Sequence, residues 1–186
     1  MRLLLASKSP RRRQLLSELG LPIDIVSIDV DEHVDPSLPA AQVAEHLACR
    51  KSDAYPVELL EEGQVLVTAD TVVVLDNHVL GKPADSGEAK RMLQGLRGRS
   101  HQVYTGVCLR TRQRAISFTE ETTVHFTPLT DDEIDYYIEH YKPFDKAGAY
   151  GIQEWIGMVG ISGIEGCFYN VMGLPVAQLY NKLKEL

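Results

Sequence analysis

The hydrophobic pattern of the chain centres on an apolar, β-branched run between Val65 and Leu75. Only the tetrapeptide Thr68-Ala-Asp-Thr71 interrupts this run with polar side chains. A near-continuous apolar run predicts a strand that is buried on both faces of a sheet. An unpaired carboxylate is costly in such a place, so Asp70 must be hydrogen-bonded, paired with a cation or bound to a metal.

A turn and a short apolar pair follow this predicted strand. Asp76-Asn77-His78 turns the chain, and Val79-Leu80 returns it towards Gly81-Lys82-Pro83. In a hairpin of this kind, Lys82 approaches Asp70 and places a cation beside an anion. The alternative is a structural ion pair in a twisted sheet, and this stretch alone does not separate the two interpretations.

Elsewhere the hydrophobic pattern predicts strands and helices along the whole chain, without an internal repeat or a Pro/Ser-rich linker. Strands are expected over residues 2–6, 22–30, 100–110 and 115–126, and a strand with a loop over 161–171. Helices are expected over residues 10–19, 39–55, 86–96 and 174–186, and a further helix begins at the capping box Thr130-Asp-Asp-Glu133. Polar Thr and Glu positions in residues 115–126 indicate an antiparallel pair with one solvent-facing side.

The first helix has an unusually basic start. Ser9 suits the N-cap and Pro10 the first helical position, and free backbone N–H groups at such a start bind anions. Residues Arg11–Arg13 occupy the first turn, where the helix dipole disfavours cations. Together with Ser7 in the preceding loop, this pattern favours phosphate binding over a solvated basic turn.

Two further groups of charges lie between residues 29 and 51. An acidic loop surrounds His33 and contains Asp29, Asp31, Glu32 and Asp35. Clustered carboxylates can bind Mg²⁺ or Mn²⁺, although a solvated loop is the open alternative. Arg50 and Lys51 lie near the end of the helix predicted over 39–55, where the helix dipole favours cations.

The composition and charge of the chain limit the partners and the cellular setting that we expect for it. The 186 residues suffice for a full core, as one domain or as one domain with two lobes. A net charge of −7 argues against a nucleic-acid partner but not against a small anionic ligand. Three widely spaced cysteines without a Cys-x-x-Cys pair predict reduced thiols and a cytoplasmic setting. No apolar run approaches the length of a membrane span, so we expect no membrane partner.

Taken in order, these segments resemble the Maf-type nucleoside triphosphate pyrophosphatases over essentially the whole chain. The motifs that carry the resemblance are Leu5-Ala-Ser-Lys-Ser-Pro-Arg-Arg-Arg13, Asp31-Glu32, Lys51, Thr68-Ala-Asp-Thr-Val72, Gly81-Lys-Pro83, Asp145-Lys-Ala-Gly-Ala-Tyr-Gly-Ile-Gln153 and Ile164-Glu-Gly166 through Asn170-Val-Met-Gly-Leu-Pro175. Each motif is weak alone, but their order and spacing are specific. One small departure is Cys49-Arg50 before Lys51, where the family commonly has an acidic residue.

The resemblance implies both a fold and an activity. The fold is a single α/β domain over residues 1–186, in which helices flank a central mixed twisted sheet and a cleft separates two lobes, as in inosine triphosphatase. The activity is metal-dependent hydrolysis of a nucleoside triphosphate to the monophosphate and pyrophosphate. Ala69-Asp-Thr71 with Tyr150-Gly-Ile-Gln153 resembles the branch acting on dTTP and UTP, whereas the 7-methyl-GTP branch typically has Ser-Asp-Gln at positions 69–71. The resemblance also favours a homodimer.

The chemistry of these residue types agrees with that activity. A triphosphate brings about three to four negative charges, and its oxygens need donors or a metal. The residues expected to bind its phosphates are Ser7, Arg12, Arg13, Lys51 and Lys82. We expect Glu32 and Asp70 to hold Mg²⁺ or Mn²⁺, and Asp70 to take a proton from the attacking water. The release of pyrophosphate rather than inorganic phosphate rests on the resemblance.

Base choice is assigned to Arg12, Thr71 and Gln153, the last of which follows a glycine-rich segment. A Gln amide offers a donor and an acceptor that match the O4 and N3–H edge of uracil and thymine, whereas cytosine presents the reverse. Thr71 points away from Asp70 unless the strand bends, and the polar tetrapeptide is where we expect that bend. The alternative is that Thr71 and Gln153 only complete hydrogen bonding in the fold.

Two other functions stay open at this point. One is a nucleotide-binding regulator of cell division without catalysis. The other is the same hydrolysis directed at modified purine or cytidine triphosphates, as in an enzyme that removes damaged nucleotides.

Overall fold

The computed structural model describes residues 1–30, 33 and 37–186 of the chain. The strands are β1 (Arg2–Leu5), β2 (Ile23–Ile25), β3 (Gln64–Leu75), β4 (His78–Leu80), β5 (Ser100–Arg110), β6 (Ala115–Phe126) and β7 (Ile161–Glu165). The helices are α1 (Pro10–Ser17), α2 (Ala40–Asp53), α3 (Ser86–Leu96), α4 (Asp131–Tyr141), α5 (Trp155–Gly160), α6 (Phe168–Met172) and α7 (Val176–Leu183), with short 3-10 helices at Val57–Leu59 and Ala147–Ala149. No helix among the described residues is long and apolar enough to cross a membrane.

The strands form a mixed sheet in the order β2-β1-β3-β5-β6-β7, and β4 pairs with β3 beside this path. β1 is parallel to both β2 and β3. β3 and β4 are antiparallel, as are β6 and β7. The predicted α/β class, with helices around a central mixed sheet, is therefore confirmed.

The predicted central strand and its hairpin are present. Asp76 and Asn77 have φ values of 50° and 63°, which is the backbone that a two-residue hairpin turn requires. β3 is continuous over 12 residues, so the polar residues 68–71 interrupt the apolar run without interrupting the strand. The alternating faces of an unbroken strand instead send Asp70 and Thr71 to different neighbours, as the site geometry shows.

Several element boundaries differ from the prediction. The strand expected over 22–30 is limited to Ile23–Ile25, because it pairs with the three residues Leu3–Leu5 of the short β1. The helices α5 and α6 were not predicted, and α6 replaces the end of the expected 161–171 strand and loop. Helices of six and five residues contain too few turns for a 3.6-residue hydrophobic period to be visible.

The chain divides into two compact units. The first unit comprises Met1–Thr71, Thr105–Glu120 and Gly173–Leu186. One of its buried clusters consists of Leu4, Ala6, Leu60 and Leu66. Within this unit α2 lies directly on β5 at Gly106, where an added Cβ would sit 2.2 Å from the backbone nitrogen of Glu45. This contact requires glycine and sets the height of α2 above the sheet.

The second unit comprises Val72–Tyr104 and Glu121–Met172. Its core joins the inner faces of α3 and α4 to the strands and includes Val73, Leu93, Leu96, Val103, Val124, Ile134, Tyr137 and Ile156. In the second half of β6 buried and less buried residues alternate, as expected for a strand with one solvent-facing side. The prediction of one domain with two lobes stays a prediction.

Candidate active site

Asp70 forms an ion pair in the first unit. Its Oδ1 accepts a hydrogen bond from Nζ of Lys51 at 2.6 Å, and the two side chains are 16% and 14% exposed. Thr68, two residues earlier on the same face of β3, donates to the carbonyl oxygen of Ala48 at 2.7 Å. The last turns of α2 therefore lie along this face of β3 and bring the Lys51 ammonium to the carboxylate.

The cation paired with Asp70 is thus Lys51 and not Lys82, which the hairpin had suggested. Lys51 lies in the last turn of α2, where the helix dipole favours a cation. A hydrogen bond to an ammonium satisfies one carboxylate oxygen of Asp70, which answers the burial problem posed by the apolar strand. The sequence therefore predicted that Asp70 needs a partner, and the structure identifies Lys51 as its ion-pair partner.

Arg12 connects three segments of the same unit through its guanidinium. Nε donates to the carbonyl oxygen of Gly173 at 2.7 Å, and Nη1 donates to that of Ala69 at 2.9 Å. Nη2 donates to Oγ1 of Thr71 at 2.8 Å, and this oxygen lies 2.9 Å from Oγ1 of Thr105. Two of the three residues assigned to base choice are therefore in direct contact, on the side of β3 opposite Lys51.

Hydroxyl groups order the start of α1. Oγ of Ser9 accepts from the backbone N–H of Arg12 at 3.4 Å, and Oγ of Ser7 accepts from that of Ser9 at 3.2 Å. The first turn contains no acidic residue to offset the helix dipole. The Arg13 side chain is exposed and makes no hydrogen bond or ion pair within the described residues. It is therefore available to an external anion.

The remaining predicted site residues lie in the second unit or outside the described residues. Lys82 follows β4 and is exposed. Gln153 is exposed in a turn that is closed by the N–H of Glu154, which donates to the carbonyl oxygen of Gly151 at 3.0 Å. Glu32, the second expected metal ligand, lies outside the described residues, as do Asp31 and Asp35.

The described part of the chain has one predicted metal ligand, Asp70, and no group of three or more His, Cys, Asp or Glu side chains gathered for a metal. A carboxylate oxygen is a hard donor that suits Mg²⁺ or Mn²⁺. Mg²⁺ commonly binds through one or two carboxylates, several waters and the phosphates of a substrate. The donor chemistry of Asp70 therefore fits a metal whose other ligands come largely from the nucleotide.

The three cysteines are free thiols, and two of them interact in the first unit. A hydrogen bond from the Cys108 thiol lowers the pKa of Cys49 to about 7. Cys108 lies two residues after Gly106 on β5, and Cys49 lies one helical turn after Glu45 on α2, so the Gly106 contact brings the two together. The sequence predicted reduced thiols but not this contact between Cys49 and Cys108.

Sequence analysis also missed a polar cluster in the second unit. The Tyr137 hydroxyl donates to Oε2 of Glu154 and accepts from the backbone N–H of Gly151 at 3.0 Å. Nζ of Lys146 lies 3.1 Å from Oε1 of Glu154 and 2.8 Å from Oδ1 of Asp145. By its spacing in the sequence Tyr137 belongs to the apolar face of α4, yet a buried tyrosine usually brings a polar partner to its hydroxyl. That rule was the signal that could have revealed the cluster.

Comparisons with known proteins find similar sequences over the whole chain and a partial likeness to solved structures. The family model described as "Maf-like protein" matches residues 2–186. A dTTP/UTP pyrophosphatase of Bacteroides thetaiotaomicron is 49% identical over 185 residues, which is 99% of this chain and 95% of that protein. A dTTP/UTP pyrophosphatase of Phocaeicola vulgatus is 48% identical over 186 residues, covering 100% of this chain and 96% of that protein. Among solved structures, the Ham1 protein of Staphylococcus aureus aligns with a TM-score of 0.48 and 12% identity over 69% of this chain and 73% of that one.

Proposed function

The chain belongs to the Maf-like protein family, and from this premise we propose that it hydrolyses dTTP and UTP to the monophosphate and pyrophosphate. The observation that carries the proposal is the Asp70–Lys51 pair inside the apolar strand β3. Asp70 is a largely buried carboxylate held by a cation, and such groups are common at catalytic sites. The chain is also about half identical to dTTP/UTP pyrophosphatases, which supports a catalytic role for Asp70.

Asp70 is proposed as the general base. Lys51 holds Oδ1, so the carboxylate is fixed in orientation, and Oδ2 makes no hydrogen bond within the described residues. That oxygen accepts the proton of a water molecule that attacks the α-phosphorus. The new phosphorus–oxygen bond forms as the bond from the α-phosphorus to its bridging oxygen breaks, and pyrophosphate leaves with that oxygen. A positioned base of this kind contributes about 10²–10⁴-fold to a rate.

Cationic and hydroxyl side chains are proposed to bind the triphosphate. They are Ser7, Arg12, Arg13, Lys51 and Lys82. Lys51 has three N–H donors, so it can hold Asp70 and still donate to a phosphate oxygen. Arg12 serves both phosphate binding and base choice, because it lies beside Arg13 and its guanidinium holds Thr71.

Mg²⁺ or Mn²⁺ is the proposed cofactor, held by Asp70 and Glu32. When bound, such an ion neutralises charge on the phosphates and lowers the pKa of a coordinated water. Asp70 fits this role through its hard oxygen donor and its fixed orientation. To identify the preferred ion, a chelator first removes metal from the protein. Pyrophosphate release is then measured with Mg²⁺ and with Mn²⁺, and the faster rate identifies the preferred ion.

Base choice is proposed to depend on Arg12, Thr71 and Gln153. Arg12 fixes Thr71 by a hydrogen bond of 2.8 Å, so the threonine hydroxyl has a set direction. Gln153 brings an amide whose donor and acceptor match the O4 and N3–H edge of uracil and thymine. A base with the opposite pattern leaves these groups unpaired, which disfavours cytosine.

The proposal is tested by pyrophosphate release from the purified chain over dTTP, UTP, CTP, dATP and 7-methyl-GTP, with Mg²⁺ or Mn²⁺. We expect turnover of dTTP and UTP to exceed that of the other nucleotides. Binding of dTTP without pyrophosphate release would favour the regulator of cell division. A preference for modified purine or cytidine triphosphates would favour the nucleotide-cleaning alternative.

Assembly and location are part of the same proposal. We propose a cytoplasmic homodimer, supported by the family resemblance and by the three free thiols. Light scattering coupled to size exclusion measures the mass directly, and a monomeric mass would remove the dimer from the proposal.

A further inference from the structure

Gln153 lies at the corner of a tight turn in the second unit. The turn runs from Gly151 to Glu154 and is closed by the hydrogen bond from the Glu154 N–H to the Gly151 carbonyl oxygen, 3.0 Å. Gln153 is the third residue of this turn and its side chain is exposed. The direction of its amide therefore depends on how firmly the two ends of the turn are held.

A single buried hydroxyl holds both ends. Tyr137 of α4 has a relative exposure of 0%, and its OH accepts from the backbone N–H of Gly151 at 3.0 Å. The same OH donates to Oε2 of Glu154. Burial and the neighbouring Glu154 raise the pKa of the phenol, so the donor is retained throughout the neutral range. One side chain thus binds the residues on either side of Ile152 and Gln153.

Lys146 fixes the other side of the turn. Its Nζ lies 3.1 Å from Oε1 of Glu154, so both carboxylate oxygens of Glu154 are engaged. Gly151 packs so closely here that an added Cβ would lie 2.9 Å from Cδ of Glu154 and 3.0 Å from Cε of Lys146. The turn has little room to move without breaking these contacts.

We propose that Tyr137 is a positioning residue for substrate choice, which holds the 151–154 turn so that the Gln153 amide meets the base in one orientation. This inference rests on the proposed function and deepens it. The substrate class is a pyrimidine nucleotide with an O4 acceptor and an N3–H donor. A loose turn lets the amide rotate and accept the reversed pattern of cytosine as well.

The test compares Tyr137→Phe with Tyr141→Phe. Phenylalanine keeps the buried ring of Tyr137 and removes only the hydroxyl. Tyr141 is the matched control because its more exposed ring stacks on Tyr137 at 5.1 Å in the same helix. We expect the ratio of kcat/KM for dTTP over CTP to fall about threefold in Tyr137→Phe, no further than in Gln153→Ala, and mainly through a higher KM for dTTP, since a buried donor and acceptor lose their partner. The ratio in Tyr141→Phe should equal that of the wild type.

A double-mutant cycle with Gln153→Ala separates positioning from general damage. If Tyr137 acts through Gln153, Tyr137→Phe adds no further change to the dTTP/CTP ratio once Gln153 is alanine. An equal loss of activity on dTTP and CTP, or a full additional change in the Gln153→Ala background, would overturn the inference.

Amide exchange measured by NMR reads the turn without using activity. The Gly151 amide should exchange faster in Tyr137→Phe than in the wild type and Tyr141→Phe, and unchanged exchange contradicts the inference.

If the wild type releases no pyrophosphate, the proposed function fails, while exchange at Gly151 still decides whether Tyr137 holds the turn. If Tyr137→Phe does not fold, Glu154→Ala removes the same Tyr137–Glu154 hydrogen bond and should shift the dTTP/CTP ratio in the same direction; an unshifted ratio contradicts the inference.

Discussion

Each of the two units contains a half-buried pair of a lysine and a carboxylate, and the two pairs differ in what the carboxylate has left to offer. Asp70 pairs with Lys51 through Oδ1 at 2.6 Å, and its other oxygen accepts no hydrogen bond from the described residues. Glu154 has Oε1 on Lys146 at 3.1 Å and Oε2 on the Tyr137 hydroxyl. A carboxylate with both oxygens engaged serves as a fixed anchor. A carboxylate held by one oxygen keeps the other for a proton or a metal.

The sharpest test of this difference is Asp70→Asn. The amide keeps the shape but removes the base and one metal charge, so turnover of dTTP should fall at least ~10²-fold. Pyrophosphate release measures it, and circular dichroism checks the fold. The matched control is Asp53→Asn, an exposed carboxylate at the end of α2 that pairs with Arg110. Near-normal turnover of a folded Asp70→Asn protein would remove Asp70 as the base.

Glu154→Gln tests the other half of the comparison. It should lower the free energy of unfolding by about 1–3 kcal/mol, because Lys146 loses one of its two anions in a nearly buried position. Urea denaturation measures the change. Glu139→Gln, on the exposed side of α4, is the control and should change stability by less than about 0.5 kcal/mol. An unfolding midpoint equal to that of the wild type would mean that Glu154 is not an anchor.

The exposed cations provide the next test. Arg13→Ala and Lys82→Ala should each weaken binding of a non-hydrolysable dTTP analogue about tenfold, because a charge-assisted hydrogen bond to phosphate is lost. The unfolding free energy should stay near that of the wild type, since both side chains are exposed. Isothermal titration calorimetry measures the affinity, with Arg112→Ala in the β5–β6 turn as the control. Unchanged affinity in both variants would exclude them from triphosphate binding.

The smallest expected effect concerns the order of substrates. Thr71→Gln breaks the hydrogen bond from Arg12 and Gln153→Ala removes the amide, so each should change the ranking of dTTP, UTP, CTP and 7-methyl-GTP by a few-fold. Steady-state kinetics with all four nucleotides measures the ranking. If both variants keep the wild-type ranking while total activity changes, these residues are structural.

The sequence predicted the parts of the fold and site that depend on local patterns. The apolar run from Val65 to Leu75 predicted β3 and the burial of Asp70, and Ser9-Pro10 predicted the start of α1. Both follow from neighbours in the chain, where hydrophobic period and capping chemistry act directly.

The partners of these residues could not be predicted in the same way. Lys51 reaches Asp70 across 19 positions of the chain, and Arg12 reaches Gly173 across 161. Such contacts depend on tertiary packing, for example on the close approach of α2 and β5 at Gly106. The Tyr137 cluster was missed for a related reason, since its hydroxyl acts on a turn 14 residues away while its ring fits an apolar helix face.

The most direct test of Asp70-dependent attack at the α-phosphorus is hydrolysis of dTTP in water labelled with oxygen-18. Mass spectrometry of the products then shows which phosphorus the water attacked. The account predicts one labelled oxygen in dTMP, unlabelled pyrophosphate, and formation of labelled dTMP at least ~10²-fold more slowly with Asp70→Asn. Label in pyrophosphate or in inorganic phosphate, or labelled dTMP formed at the wild-type rate by Asp70→Asn, would contradict it.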